Sequence, residues 1–213
     1  MKKRLSQILT AAILILGVFS ASAASVDLMP TADGDVQTFG GDDVNVSATH
    51  IAFTQSGGLI RNGILEFDLS PIADNATITA ARLDITLTRF VSNTSGTAAI
   101  DLFAYNGDGI VDINDYAAPG IQVADTTTPT GGVAGDVRSF NFTTVAPIAD
   151  ALAANLLSVR IETDNFASIN FASLENAVLS AANLHIEFTP VPLPAGLPMA
   201  LSGLALMGFA RRR

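Results

Sequence analysis

The chain has 213 residues, 20 of them acidic and 11 basic, for a formal net charge of −9. Cysteine is absent, which excludes disulfides, thiolate metal sites and thiol nucleophiles, and two histidines are too few for most histidine-based zinc centres. All 20 acids but only five arginines and no lysine lie between residues 24 and 190, so that stretch carries a formal −15 and repels phosphate backbones, which excludes nucleic acid as a partner.

The chain opens with Lys2, Lys3 and Arg4, an apolar run from Ile8 to Phe19, and the small residues Ala21 and Ala23. A basic start, a 12-residue apolar stretch and an A-x-A site predict a secretory signal, residues 1–23, cut by signal peptidase after Ala23. The run is too short to span a bilayer, which takes about 20 residues.

From residue 24 to 190 the pattern changes to short runs in which apolar and polar residues alternate, separated by Gly, Asn, Asp and Pro. That is the signature of half-buried antiparallel strands. The runs are "DVNVSATHIAF", "GILEFDLS", "ARLDITLTRF", "AAIDLFAY", "DVRSFNFTT", "LLSVRIET" and "ANLHIEF". In the clearest, Leu83, Ile85 and Leu87 point one way while Arg82, Asp84, Thr86 and Thr88 point the other. "DTTTPTGGVAGD", Asp125 to Asp136, reads as a long surface loop. "PIADALAANLL" opens with Pro147 and places Ile148, Leu152 and Leu156 at helical spacing, so one short helix is expected there. Many short strands, one small helix and no βαβ alternation predict a single all-β domain over 24–190, an antiparallel two-sheet sandwich of jelly-roll type.

Within this domain "YNGDGIVDINDY" carries the densest set of oxygen donors. Gly109 anchored at the sixth position of a calcium loop puts Asn106 at 3, Asp108 at 5, Asp112 at 9 and Asp115 at 12, but Ala104 at 1, and the preceding run is a strand where an EF-hand has a helix. A non-EF calcium loop and an Asx- and glycine-rich turn remain the alternatives, and calcium is the one cofactor the sequence suggests. Tyr105 and Tyr116, in a chain without tryptophan, are the candidate aromatic faces for a sugar ring, with packing roles for both as the alternative. No serine sits in a G-x-S-x-G elbow; His50 lies in an alternating run, and His185 shares the outward face of a terminal strand with Glu187. No catalytic residue is assigned, and the domain is read as non-catalytic.

"RNGILEFDLSPIADNATITAARLDITLTRF" and "LLSVRIETDNFASINFASLENAVLSAANLHIEF" resemble the hallmark segment and the closing half of DNRLRE-type domains. The resemblance implies a secreted β-sandwich of carbohydrate-binding-module type.

Beyond Glu187 no charge occurs until Arg211, a stretch of 23 residues. Pro190, Pro192, Pro194 and Pro198 prevent a continuous helix through its first half, leaving Leu197 to Ala210 as a short hydrophobic helix with Arg211, Arg212 and Arg213 on the cytoplasmic side. The order of Val191, Pro192, Leu193, Pro194 and Ala195, then the hydrophobic segment, then the arginines resembles the VPLPA variant of the PEP-CTERM sorting signal of Gram-negative bacteria. That resemblance implies that residues 191–213 hold the chain in the inner membrane until an exosortase processes it. It also implies a destination at the cell surface or in an extracellular matrix, with extracellular polysaccharide as a partner. The competing expectation is a polysaccharide-modifying hydrolase or lyase carried to the same place.

Overall fold

In the computed structural model residues 22–93 and 96–191 are described. The expected signal segment up to Ala21, the motif residues Pro192, Leu193, Pro194 and Ala195, the hydrophobic helix and Arg211, Arg212 and Arg213 lie outside them; Val191 lies within and is exposed. Among the described residues no helix is long and apolar enough to cross a membrane. Residues Ala23–Thr189 form one compact unit.

That unit is an antiparallel β-structure of 12 strands. The first seven are β1 (Ala24–Leu28), β2 (Ala32–Gln37), β3 (Asp43–Asn45), β4 (His50–Ser56), β5 (Leu59–Asp68), β6 (Thr77–Asn93) and β7 (Thr97–Asn106). A 3-10 turn, Ile113–Ala117, precedes β8 (Ile121–Pro129) and β9 (Val137–Asn141). The helix α1 (Ala146–Ala151) then leads to β10 (Leu156–Glu162), β11 (Ala167–Ala172) and β12 (Asn183–Thr189).

The strands join one hydrogen-bonded path, β1-β12-β6-β11-β4-β5-β10-β7-β8, with β2 on β5, β3 on β2 and β9 on β6. β6 makes this continuity possible. Its first half pairs with β12 and β9, and its second half pairs with β11. Thr143, just after β9, donates from its backbone N to Val123 O of β8 at 2.7 Å, so the far end of the path comes back to the β9 side. The result is one strongly curled sheet, where two separate sheets were expected.

Curling lets the sheet bury one face against itself. Leu83, Ile85 and Leu87 of β6 are all buried, as their alternation predicts, and they join Phe53, Phe67, Phe171, Ile100 and Leu184 in the main core. Phe53 and Phe171 meet with ring centroids 6.0 Å apart. α1 contributes Ile148 and Ala151 to this core, and Pro147 stands in its first turn as the sequence predicts. Leu156 does not belong to it. Asn155 takes a left-handed φ of 58°, which ends the helical path, and Leu156 begins β10. The expected loop Asp125–Asp136 is also corrected, because Asp125 to Pro129 complete β8 opposite Asp101 to Thr97 of β7; β-branched threonines suit a pleated edge strand.

A second, smaller core lies on the opposite side of β5, where Val36, Ile64 and Val111 pack with Ala32 and Tyr116. β5 is therefore covered on both faces.

Candidate functional site: a buried polar ladder under the 107–118 segment

Strand register builds the site. Ser158 of β10 stands opposite Glu66 of β5 on one side and Tyr105 of β7 on the other, and Arg160 stands opposite Ile64 and Phe103. Residues two apart share a face, so Asn62, Ile64 and Glu66 line up beside Ser158, Arg160 and Glu162. The connection between β7 and β8 folds back over this ladder and shuts it off from solvent. Glu66 and Ser158 are fully buried, and Arg160 and Asp115 are buried too.

Glycine makes that approach possible. A Cβ at Gly107 would fall 2.8 Å from Ser158 Oγ and closer still to Glu66 Oε2. Gly109 has φ +83°, a left-handed turn that suits glycine, and its N–H donates to Glu66 Oε2 at 3.3 Å. Ser158 Oγ donates to the other carboxyl oxygen, Oε1. Burial pushes the Glu66 carboxyl up to about 7 against the hydrogen bond from Ser158, with the charge of Asp115 adding to the rise.

The remaining polar groups hold the segment down. Tyr105 donates its hydroxyl to Asp115 Oδ1 at 2.9 Å, and the backbone N–H of Asp112 donates to Asp115 Oδ2 at 2.9 Å. Burial raises the Asp115 carboxyl above its ordinary range, and burial with the Asp115 charge raises the Tyr105 hydroxyl. Arg160 Nη1 donates to the carbonyls of Asp115 at 3.2 Å and Ala118 at 2.7 Å, while its Nε donates to Glu162 Oε1. The guanidinium also stacks 5.0 Å from the Phe103 ring centroid and 6.0 Å from that of Tyr105. Asn62 Nδ2 reaches Tyr116 O at 3.1 Å.

Of the four residues expected to gather round calcium, Asp108, Asp112 and Asp115 fall on this segment and Asn106 just before it, and they do not converge. Asp108 accepts from the N–H of Ile110 at 2.9 Å, an Asx turn, and Asp112 caps the 3-10 turn through Asn114 N at 2.7 Å. Asp115 is inward and spent on Tyr105 and Asp112, while Asn106 is exposed at the end of β7. Among the described residues no group of three or more His, Asp or Glu side chains is gathered as a metal site would be. The donor set, each carboxylate bonded to a local N–H or hydroxyl, matches the glycine-rich turn and does not fit a calcium shell.

The two tyrosines are not brought together as a platform. Tyr105 and Asn106 border an open cleft of about 320 Å³ with Pro119, Ile121, Pro147 and Asp150. Tyr116 instead packs on Val36, Ile64 and Val111. Glu66, Ser158 and Arg160, which form the centre of the ladder, were not singled out from sequence. Glu66 stands between Leu65 and Phe67 and Arg160 between Val159 and Ile161, an alternation that reads in sequence as an ordinary solvent-facing side of a strand.

No protein-family model and no curated protein matches the chain. Solved structures similar to it include a recombinantly expressed latent aurone synthase, a polyphenol oxidase, at 9% identity and a TM-score of 0.31, over 66% of this chain and 26% of that one. Another is the structure of infectious bursal disease virus, Gx strain, at 11% identity and a TM-score of 0.27, over 83% of this chain and 36% of that one. The chain thus covers 26% and 36% of the length of these two proteins.

Proposed function

We propose that the chain is an exported, non-catalytic protein of the cell surface or extracellular matrix that is sorted through its VPLPA-type tail by an exosortase and holds polysaccharide. The observation that carries this reading is the pair of labels, an A-x-A signal before residue 24 and the "VPLPAG", apolar and arginine order after Pro190. In sequence the compact unit Ala23–Thr189 falls between the two. In this reading the curled sheet serves as a jelly-roll-like sandwich whose two halves share the core. The ladder supports a non-catalytic role, because Glu66 accepts from Ser158 Oγ and the Gly109 N–H while Arg160 donates to the carbonyls of Asp115 and Ala118 in the covering segment.

The alternative, a polysaccharide-modifying hydrolase or lyase, draws on Glu66 and Asp115, two carboxyls raised by burial in one place. It requires the covering segment to open. Intact mass of the native protein and a glycan array together test the proposal. Loss of residues 1–23 and of the arginine tail with retention of a glycan supports it. A native form with Arg211 to Arg213 still attached removes the exosortase, and turnover of a glycan abolished by Glu66→Gln replaces binding with catalysis.

A further inference from the structure

Of the five arginines between residues 24 and 190, four face a carboxylate: Arg61 with Asp35, Arg82 with Asp84, Arg138 with Asp136 and Arg160 with Glu162. Arg89 has no carboxylate partner among the described residues, although acids outnumber arginines four to one over that stretch. Its neighbourhood explains the difference.

Arg89 borders a cleft of about 270 Å³ together with His50, Thr88 and Asn170, and no acidic side chain among the described residues lines it. The cleft sits on the outer face where β4, β11 and β6 lie side by side. Asn170 of β11 stands opposite both Ala52 and Arg89, and Ala172 stands opposite His50. The register between β11 and β6 shifts on either side of Asn170. Phe171 pairs with Leu87 while Asn170 pairs with Arg89, so Thr88 is the extra residue of a bulge. The bulge brings Thr88 and Arg89 to the same opening.

Asn170 is 3% exposed, and its Oδ1 accepts from Arg89 Nε at 3.1 Å. That bond fixes the guanidinium by its inner nitrogen. No hydrogen bond among the described residues engages the two terminal nitrogens, which are the pair that meets an oxyanion edge-on. Asp35 of β2, whose carboxyl reaches β4 through the N–H of Ala52 at 3.1 Å, is engaged there and by Arg61 at 3.3 Å.

We propose that this cleft is an oxyanion site, in which Arg89 binds a phosphate, sulfate or carboxylate group with His50 and the Thr88 hydroxyl as further donors. Asn170 is the positioning residue. The site is independent of the export signals and of the ladder beneath the 107–118 segment, and it gives a strongly acidic domain one place to hold an anion.

The test uses the full chain in mild detergent, with thermal unfolding followed at constant ionic strength against sodium phosphate, sodium sulfate, sodium acetate and sodium chloride. Dextran sulfate and unmodified dextran form a second pair of probes. A saturable rise in midpoint that Arg89→Gln weakens about tenfold to a hundredfold is expected, the loss typical of a charge-assisted hydrogen bond. Arg82→Gln, which removes an arginine already paired with Asp84, should keep the full response. A response to free phosphate or sulfate assigns the site to a small ion, and a response to dextran sulfate alone assigns it to a group carried on a polymer. A non-saturating rise shared equally by wild type and Arg89→Gln is the general salt effect and overturns the proposal, as does no rise with any probe. His50→Gln retains Arg89 and should give an intermediate response, so the comparison survives if Arg89→Gln folds poorly.

Discussion

Glu66 shows how one residue can tie a loop to a sheet and make the tie depend on pH. Its carboxyl is fully buried, and its folded-state value is raised to about 7 from an ordinary 4.5. The folded state therefore holds the proton more tightly than the unfolded chain does. The stability this contributes is fully present below about 4.5 and is lost as pH rises through 7. Glu66→Gln keeps the acceptor for Ser158 and removes the titration. Its unfolding midpoint should equal or exceed that of wild type at pH 8, with a flatter profile between pH 5 and 8, as read by urea denaturation at each pH. A wild-type profile that rises across that interval, or an unchanged slope in the variant, contradicts the assignment. Gly107→Ala tests the same contact from the loop side. The added methyl meets the Glu66 and Ser158 oxygens, so a loss of about 1 to 3 kcal/mol is expected in the same experiment, whereas an open surface turn would tolerate it.

The segment between β7 and β8 behaves as an element in its own right although it contains only one 3-10 turn. Its aspartates act on backbone N–H groups, with Asp112 capping the turn and Asp115 returning a bond to the Asp112 N–H. Asp112→Ala should therefore cost about 1 kcal/mol, the usual worth of such a cap. Millimolar calcium or a chelator should leave the wild-type midpoint in place, and a calcium-dependent rise lost in Asp108→Ala would restore the metal. The sequence shows this segment as turn-like and oxygen-rich but not that it covers a sheet, because that depends on what lies beneath it. Strands with strict alternation were legible, as Leu83, Ile85 and Leu87 illustrate. β2 was not, since Asp33, Gly34 and Asp35 are all buried there, and "ADGDVQ" has no apolar rhythm. β8 was hidden by its threonines and β11 by its small residues, "ASINFA". The ladder was illegible for a related reason. Ser158 and Glu66 are 92 positions apart in sequence, and only the antiparallel register of β5 with β10 makes them neighbours.

At the scale of the whole molecule, the domain combines a formal −15 with carboxyls placed inside it. Burial raises Asp33 to about 6 and, with Asp164 nearby, Asp101 to about 6, in addition to Glu66 at about 7. Burial also raises Asp35, against the hydrogen bond from Ala52 and the charge of Arg61, and it raises Asp115. All these groups share one sign, since each folded-state value lies above the unfolded one, so each destabilises the fold as pH rises from about 4 to 7. Two exposed carboxyls oppose them: Asp27, held down by its hydrogen bond from His185, and Asp68, held down by the N–H of Ser70. Their contribution is lost only as pH falls below the ordinary value of 3.8. Self-repulsion among the surface acids adds to the loss at high pH, because protonation lowers the net charge. The fold should therefore be most stable at mildly acidic pH. One pKa unit corresponds to about 1.4 kcal/mol, so realising even a third of the three largest shifts amounts to about 3 kcal/mol between pH 4.5 and 7.5. For a domain of this size that lowers the thermal midpoint by roughly 6 to 12 °C. Calorimetry at constant ionic strength across that interval measures it directly. The drop should shrink in a Glu66→Gln, Asp33→Asn double variant, and a midpoint that climbs toward pH 7.5 would mean that the buried carboxyls are ionised and well paired in the fold.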